Sequence, residues 1–384
     1  VKLEAAVGDD PRDILRALKA AIHGPGPALG VGLVGESPDD VPAGTAVVVT
    51  TSGSTGVPKS VVLGRDALIS SALATADRIG EGAWLLALPA TYVAGIQVLV
   101  RSIVAGRDPA VISGSFSPQA FAAAALMMAS SEGGVRTPTF TSLVPAQLQR
   151  LLDAAIDDHA VAAALGSFER ILIGGQALPT ALRERAEAAG VRIVRTYGST
   201  ETSGGCVYDG RPLRGVAMRI RDGEVQLSGP VLASGYLGEP DRTRAVFATD
   251  PDGTRWYRTG DAGIIEDGAL RVQGRIDNVI VSGGVNISLD RVEHAVRSVA
   301  GLQDAVVVGV PDDRWGEASV IVVPRGEALR RSEADQLARA REVVATEVGR
   351  HARPARLVLV DEIAELPSGK PDREAIRRAV LALH

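Results

Sequence analysis

Val47-Val48-Val49-Thr50-Thr51-Ser52-Gly53-Ser54-Thr55-Gly56-Val57-Pro58-Lys59-Ser60 is the stretch on which the reading of this chain turns. Its β-branched start has the composition of a buried strand. The strand feeds a loop of hydroxyls between glycines, and a lysine closes it. Glycines let backbone N–H groups approach an anion, hydroxyls add donors and lysine adds charge. That is the composition of a phosphate cradle. It is not a Walker A loop, because Pro58 stands before Lys59 where that motif needs Gly-Lys-Ser/Thr. A solvated Gly/Ser turn between two strands is the alternative.

Outward from this stretch the apolar periodicity alternates. Before it, residues 1–44 carry one weak amphipathic helix over 11–22 and a Gly/Pro-rich connection. After it come a strand at 61–63, a helix over 66–79, a buried strand at 84–88 and helices near 96–105 and 118–130. Strands at 139–143, 170–173 and 191–196 then alternate with helices over 146–155 and 180–188. Such a rhythm predicts right-handed βαβ units and a mostly parallel sheet covered on both faces. Residues 205–275 are glycine-rich with short alternating runs, and predict a small antiparallel, barrel-like module. Beyond Arg275, helices over 289–299, 332–348 and 373–383 and strands at 305–310, 320–323 and 357–360 predict a smaller α+β unit. The fold class is therefore α/β, with a large domain over 1–276 and a smaller, mobile α+β domain over 277–384.

Bulk properties narrow the function classes. At 384 residues the chain exceeds one ordinary core. With 46% hydrophobic and 23% charged residues it has the balance of a folded soluble protein. The net charge of −5 is dispersed with no basic arm, which argues against nucleic acid as a partner. One cysteine, Cys206, excludes an internal disulfide, and five scattered histidines make a zinc site improbable. No segment has the length of a membrane span and the N-terminus lacks a signal-peptide order, so a cytoplasmic location is expected.

Five further stretches could carry chemistry. Ile173-Gly174-Gly175-Gln176 ends a parallel strand in a double glycine, where open α/β sheets place ligands; a tight turn is the plain alternative. Thr196-Tyr197-Gly198-Ser199-Thr200-Glu201-Thr202 combines an aromatic face, hydroxyls and a carboxylate, as a base-stacking surface and a magnesium ligand would need. A capped helix start would explain the same spacing. Tyr257-Arg258-Thr259-Gly260-Asp261 offers an aspartate after a glycine turn, suited to reading ribose hydroxyls or simply to the turn. Gly274-Arg275-Ile276-Asp277, running on to Gly283-Gly284, falls at the domain boundary and suits a hinge. Leu366-Pro367-Ser368-Gly369-Lys370-Pro371 presents a lysine on a loop shaped by proline and glycine.

In this order, from about residue 45 to the end, the six stretches resemble the adenylate-forming superfamily of acyl- and aryl-CoA synthetases, adenylation domains and luciferases. The chain is short for that superfamily, as if much of the usual N-terminal subdomain were trimmed. Within it the closest resemblance is to the o-succinylbenzoate–CoA ligases of menaquinone biosynthesis, of the actinobacterial type. Leu88-Pro89-Ala90-Thr91-Tyr92-Val93-Ala94-Gly95, Thr141-Ser142-Leu143-Val144-Pro145-Ala146-Gln147-Leu148 and Ser203-Gly204-Gly205-Cys206-Val207-Tyr208 carry it. Family members often have histidine where Tyr92 stands, and tyrosine keeps an aromatic gate.

The resemblance implies ATP, Mg²⁺ and coenzyme A, and an aromatic carboxylic acid as substrate. It implies that Thr51, Ser52, Ser54, Thr55 and Lys59 hold the ATP phosphates, and that Gly174, Gly175 and Gln176 border the adenine under Tyr197. It implies Thr200 on the α-phosphate, Glu201 on Mg²⁺, Asp261 and Arg275 on the ribose, and Lys370 as the adenylation lysine. Asp277 would be the hinge, and Gly283 and Gly284 would line the pantetheine channel. Tyr92, Arg101, Ser142, Gln147, Ser203 and Tyr208 are acyl-pocket candidates by position; Arg101 reads equally well as a surface helix arginine. A homodimer is a family-level expectation. Other aryl- or fatty-acyl-CoA ligases, an enzyme acylating a carrier protein, and a catalytically dead nucleotide binder are the competing readings.

Overall fold

The computed structural model describes residues 1–34, 38–51, 58–112, 114–128, 131–325, 333–366 and 370–383. Strand Thr45–Thr51 lies inside a five-stranded sheet, parallel to Ala28–Val31, which in turn pairs with Leu3–Ala5. Its other neighbour, Lys59–Gly64, runs antiparallel with Thr51 opposite Lys59. The two strands pair as neighbours in antiparallel register, because so short a connection cannot return a strand in parallel. Gly235–Tyr236 closes the far edge on Lys59–Gly64.

The second sheet has seven strands, and it is the one the alternating pattern predicts. Ile193–Ser199, Arg170–Ile173, Thr139–Leu143, Ala83–Leu86 and Ala110–Val111 are parallel in that order. Gly204–Tyr208 and Arg211–Pro212 add antiparallel strands at the Ile193–Ser199 edge. These two were expected in the barrel-like module; turning straight back from the parallel edge strand lets them pair with it instead. Helices Pro118–Leu126, Pro145–Ala154, His159–Ser167 and Thr180–Ala188 cover one face around Phe121, Leu151 and Ile171. Helices Arg65–Ile79 and Val93–Val104 fill the space between the two sheets, where Leu68, Ile96 and Leu99 meet Val47, Val61, Trp84 and Phe140. With both sides occupied, Gly95–Ile103 of the second helix is buried throughout.

The antiparallel module is a five-stranded sheet starting at Ala217. Arg255–Glu266 is its long central strand, pairing with Glu224–Ser228 and Phe247–Thr249 along one stretch and with Ala269–Arg275 along the other. From Ile280 onward the chain buries a core of its own. Val279–Ser282, Val285–Ser288, Val306–Asp312, Gly316–Pro324 and Arg356–Val360 form a fourth sheet, covered by Leu289–Arg297, Glu333–Glu347 and Arg373–Ala382. No helix of the described residues is long and apolar enough to cross a membrane.

Candidate active site

The carboxyl ends of Thr139–Leu143, Arg170–Ile173 and Ile193–Ser199 lie side by side at one end of the sheet, where open α/β sheets place their ligands. Gly174 follows the middle strand, and a Cβ there would meet Thr196 Oγ1 at 2.4 Å. Gly175 follows at φ +82°, a left-handed conformation that glycine takes without strain. Its nearest neighbours are Val144 Cγ1 and Lys370 Cε, 3.5 Å and 3.9 Å from the place a Cβ would take. The lysine on the C-terminal loop therefore reaches the strand ends of the large domain. Its side chain keeps access to solvent, yet the cleft walls strip enough water to lower the ammonium pKa from 10.5; Asp261 and Glu201 act the other way.

The next strand runs through Tyr197 into a 3₁₀ turn, Thr200–Thr202. Tyr197 donates its hydroxyl to Asp261 Oδ2 at 2.6 Å, while Arg275 Nη1 lies 3.4 Å from Asp261 Oδ1. Burial lifts the Asp261 pKa more than these two partners lower it. Arg275 donates from Nε and Nη2 to the two oxygens of Asp277 at 2.9 Å each, and from Nη1 to the Thr259 carbonyl at 2.8 Å. The pair from the third sheet and the tyrosine from the second thus form one polar edge.

Glu201 is 2% exposed. Its Oε1 accepts from the Lys59 ammonium and from the Tyr236 hydroxyl at 2.9 Å. Burial raises its pKa, but Lys59 and the hydrogen bonds from backbone and Tyr236 together lower it by more, so the net direction is down and the group is a carboxylate at neutral pH. Thr51 Oγ1 is buried with no partner among the described residues. Ser52, Ser54 and Thr55 lie outside the described residues. Glu201 fits magnesium chemistry: such an ion commonly takes one or two carboxylates and fills its octahedron with phosphate oxygens and water. No group of three or more His, Cys, Asp or Glu side chains that could hold a metal exists among the described residues. The glycine floor, the threonine hydroxyl and the two lysines suit a polyphosphate.

The acyl candidates divide. Arg101 is buried, not a surface arginine. Its guanidinium packs 4.9 Å from the Trp84 ring centre and donates to Tyr208 Oη at 3.3 Å and Ser142 Oγ at 3.5 Å. Nε has no partner among the described residues, where Tyr208, and no carboxylate, acts on the guanidinium. Burial lowers its pKa, against the pull of Tyr208. One turn earlier on the same face, Gln97 is buried with neither end of its amide bonded among the described residues. Sequence reading passed over Gln97; its only signal is its spacing of four from Arg101 in an otherwise apolar helix. Tyr236, which no motif contains, was missed as well. Tyr208 also bonds Thr75 at 3.0 Å, and Ser203 donates to the Val231 carbonyl at 2.8 Å. Tyr92 stands half-buried at the start of helix Val93–Val104, and burial raises its pKa. Gln147 is tied to backbone at both ends of its amide, where Oε1 accepts from the Val144 N–H and Nε2 donates to the Ala87 carbonyl, and this leaves one N–H and one acceptor position of the amide.

Gly283 and Gly284 form the tip of the hairpin between Val279–Ser282 and Val285–Ser288, at φ +57° and +80°, as a two-residue hairpin loop requires. Cys206 is fully buried beside Thr202, with its thiol pKa pushed up to about 12 by burial, which suits packing and not reactivity. A separate depression of about 700 Å³ is lined by Arg221, Glu224, Arg258, Gly260, Arg275 and Asp277 among others. Lys59, Gly175, Glu201 and Lys370 do not line it, and Arg258 and Arg275 are engaged with Glu224 and Asp277.

Comparison with known proteins bears on this geometry. A family model described as "AMP-binding enzyme" matches residues 9–237, and one described as "AMP-binding enzyme C-terminal domain" matches residues 291–370. A Mycobacterium tuberculosis protein named "Probable 2-succinylbenzoate–CoA ligase" is 37% identical over 395 aligned positions, covering 98% of this chain and 97% of that protein. Among solved structures, o-succinylbenzoate CoA synthetase (MenE) from Bacillus subtilis, in complex with the acyl-adenylate intermediate OSB-AMP, is 26% identical with a TM-score of 0.71, covering 87% of this chain and 69% of that one. ATP-bound MatB from Rhodopseudomonas palustris has the same fold, with a TM-score of 0.74 at 22% identity over 91% of this chain and 71% of that one.

Proposed function

Because the chain belongs to the AMP-binding enzymes, and among them to the 2-succinylbenzoate–CoA ligase family, we propose that it adenylates the succinyl carboxylate of o-succinylbenzoate and passes the acyl group to coenzyme A. The observation that carries the choice of acid is Arg101. A guanidinium this deep, held among the described residues by two hydroxyls and an indole, is costly to keep charged without an anion. The ring carboxylate of o-succinylbenzoate is such an anion, and Arg101 suits it through charge-assisted hydrogen bonds. Gln97, Ser142, Ser203 and Tyr208 frame that end of the pocket, and Tyr92 gates the other.

In the first half-reaction the succinyl carboxylate attacks the α-phosphorus of ATP and pyrophosphate leaves. Two anions must meet, so charge is the main obstacle. Lys370 bridges the attacking carboxylate and the α-phosphate, a role supported by its reach to Gly175 at the strand ends; Lys59, Thr51, Ser52, Ser54 and Thr55 hold the departing phosphates. Thr200 donates to the α-phosphate. Gly174, Gly175 and Gln176 border the adenine beside Tyr197, and Asp261 with Arg275 reads the ribose. Glu201 would hold magnesium, which would supply further neutralisation of charge. No side-chain nucleophile is needed, because position and electrostatics suffice.

In the second half-reaction the coenzyme A thiol attacks the acyl-adenylate and AMP leaves. One site can run both steps if the unit from residue 277 turns about Asp277, withdrawing Lys370 and bringing up the Gly283–Gly284 hairpin tip. What supports this is that Lys370 reaches the cleft from a unit with a separate core.

The test is AMP release by the purified protein with ATP, Mg²⁺ and o-succinylbenzoate, with and without coenzyme A. The expected result is coenzyme A-dependent AMP release with thioester formation. Pyrophosphate without any response to coenzyme A would move the reading to a carrier-protein acceptor. Turnover only with other acids would discard the substrate and keep the chemistry.

A further inference from the structure

One carboxylate in the C-terminal unit holds three groups from different parts of the chain. Asp290 lies in the first turn of helix Leu289–Arg297. Its Oδ2 accepts from the backbone N–H of Arg275 at 2.7 Å, and its Oδ1 accepts from Asn278 Nδ2 at 2.7 Å. Arg373 Nη2 stands 3.6 Å from the same Oδ1. Arg275 is the last residue of the third sheet, Asn278 leads into the fourth, and Arg373 opens the helix that follows the Lys370 loop.

The approach is tight. A Cβ on Gly274 would come within 2.5 Å of Asp290 Cβ, so no larger residue fits between the strand and the helix. Arg373 is held a second time: its Nη1 donates to Glu293 Oε2 at 2.8 Å and to the Val307 carbonyl at 2.9 Å. Glu293 also accepts from the Val307 N–H at 2.9 Å and pairs with Arg297 at 3.0 Å. The base of the lysine loop is therefore fixed to the helix that carries Asp290, and Asp290 to the strand end on the other side of residue 277.

We propose that Asp290 is a positioning residue for adenylation, a latch that keeps the C-terminal unit turned so that Lys370 lies against Gly175. The proposal rests on the role given above to Lys370. Asn278 and Arg373 belong to the unit that carries Asp290 and stay with it when it moves. The Arg275 amide belongs to the third sheet and does not. Of these contacts, the hydrogen bond to Arg275 is broken by rotation about Asp277, and the hydrogen bond to Asn278 and the ion pair with Arg373 keep the carboxylate aimed for its return. Charge-assisted bonds of this length are strong enough to bias an orientation yet few enough to be released in turnover.

The experiment uses the full chain and separates the half-reactions. ATP–pyrophosphate exchange with o-succinylbenzoate reports adenylation; conversion of supplied o-succinylbenzoyl-adenylate with coenzyme A reports thioester formation. Asp290→Ala should lower exchange on the order of 10–100-fold, as misplacement of a reacting group does, with the thioester step unchanged or faster. Asp290→Asn keeps one acceptor for the Arg275 amide and should recover part of the exchange. A purely structural role would slow both half-reactions together and follow the melting temperature, and that result would overturn the proposal. So would exchange at the parent rate in Asp290→Ala while Lys370→Ala abolishes it. If Lys370→Ala itself leaves exchange intact, the lysine assignment fails and the latch with it.

Discussion

A single buried cation carries the proposed choice of acid. Arg101 lies between the Trp84 ring, Ser142 and Tyr208, and a hydrogen bond to a buried charged group contributes roughly 1.5–3 kcal/mol. Arg101→Gln should therefore lower kcat/KM for o-succinylbenzoate on the order of 10–100-fold, and barely change that for the analogue without the ring carboxylate. Equal losses for both acids, measured as specificity constants, would show that Arg101 only packs. Lys370 makes a pH prediction. Burial lowers the pKa of its ammonium below 10.5, so the charged form is complete on the acid side and is lost as pH rises through that lowered value. Adenylation should then fall on an alkaline limb below pH 10.5 that the thioester step does not share. Substituting Lys370→Arg, whose charge persists, should remove the limb from whatever adenylation remains. Rates of the two half-reactions across pH check this.

Elements carry these residues into place. Helix Val93–Val104 delivers Gln97 and Arg101 because it is wedged between two sheets, and its first turn touches the preceding loop. A Cβ on Gly95 would lie 2.1 Å from the Pro89 carbonyl oxygen. Gly95→Ala should push the helix outward, at a stability cost of about 1–3 kcal/mol as in other overpacked sites. Its KM for the acid should rise more than its KM for ATP; an equal rise in both would detach the helix from acyl binding. The element scale also shows why parts of the site were legible. Strand ends at Gly174 and Thr196 are visible as apolar runs breaking into glycine and hydroxyls, and the parallel order follows from alternation with helices. The antiparallel return of Lys59–Gly64 is not visible in its apolar pattern, which is the same in either direction. Nor is the migration of Gly235–Tyr236 to the first sheet, because two residues carry no periodicity.

On the scale of the whole molecule, the proposed chemistry depends on two units meeting. Lys370→Ala should lose adenylation while still converting supplied acyl-adenylate, by a factor on the order of 10²–10³ as for other single electrostatic groups. Asp277→Pro, which fixes φ at the turning point, should impair the thioester step and spare adenylation. Rapid-quench measurement of each half-reaction distinguishes these outcomes, and unchanged overall turnover in Asp277→Pro would remove it as the pivot. The sequence by itself determined the α/β order, the motifs at the strand ends and the separate C-terminal unit, because these follow from periodicity and local turn chemistry. Only the tertiary structure decided that Arg101 is buried, that Gln147 is bound to backbone, that Tyr236 shares Glu201 with Lys59, and that Asp290 ties Arg275 to the lysine loop. Those are contacts between residues far apart in the chain, and their partners are set by how sheets and helices pack, which no local pattern encodes.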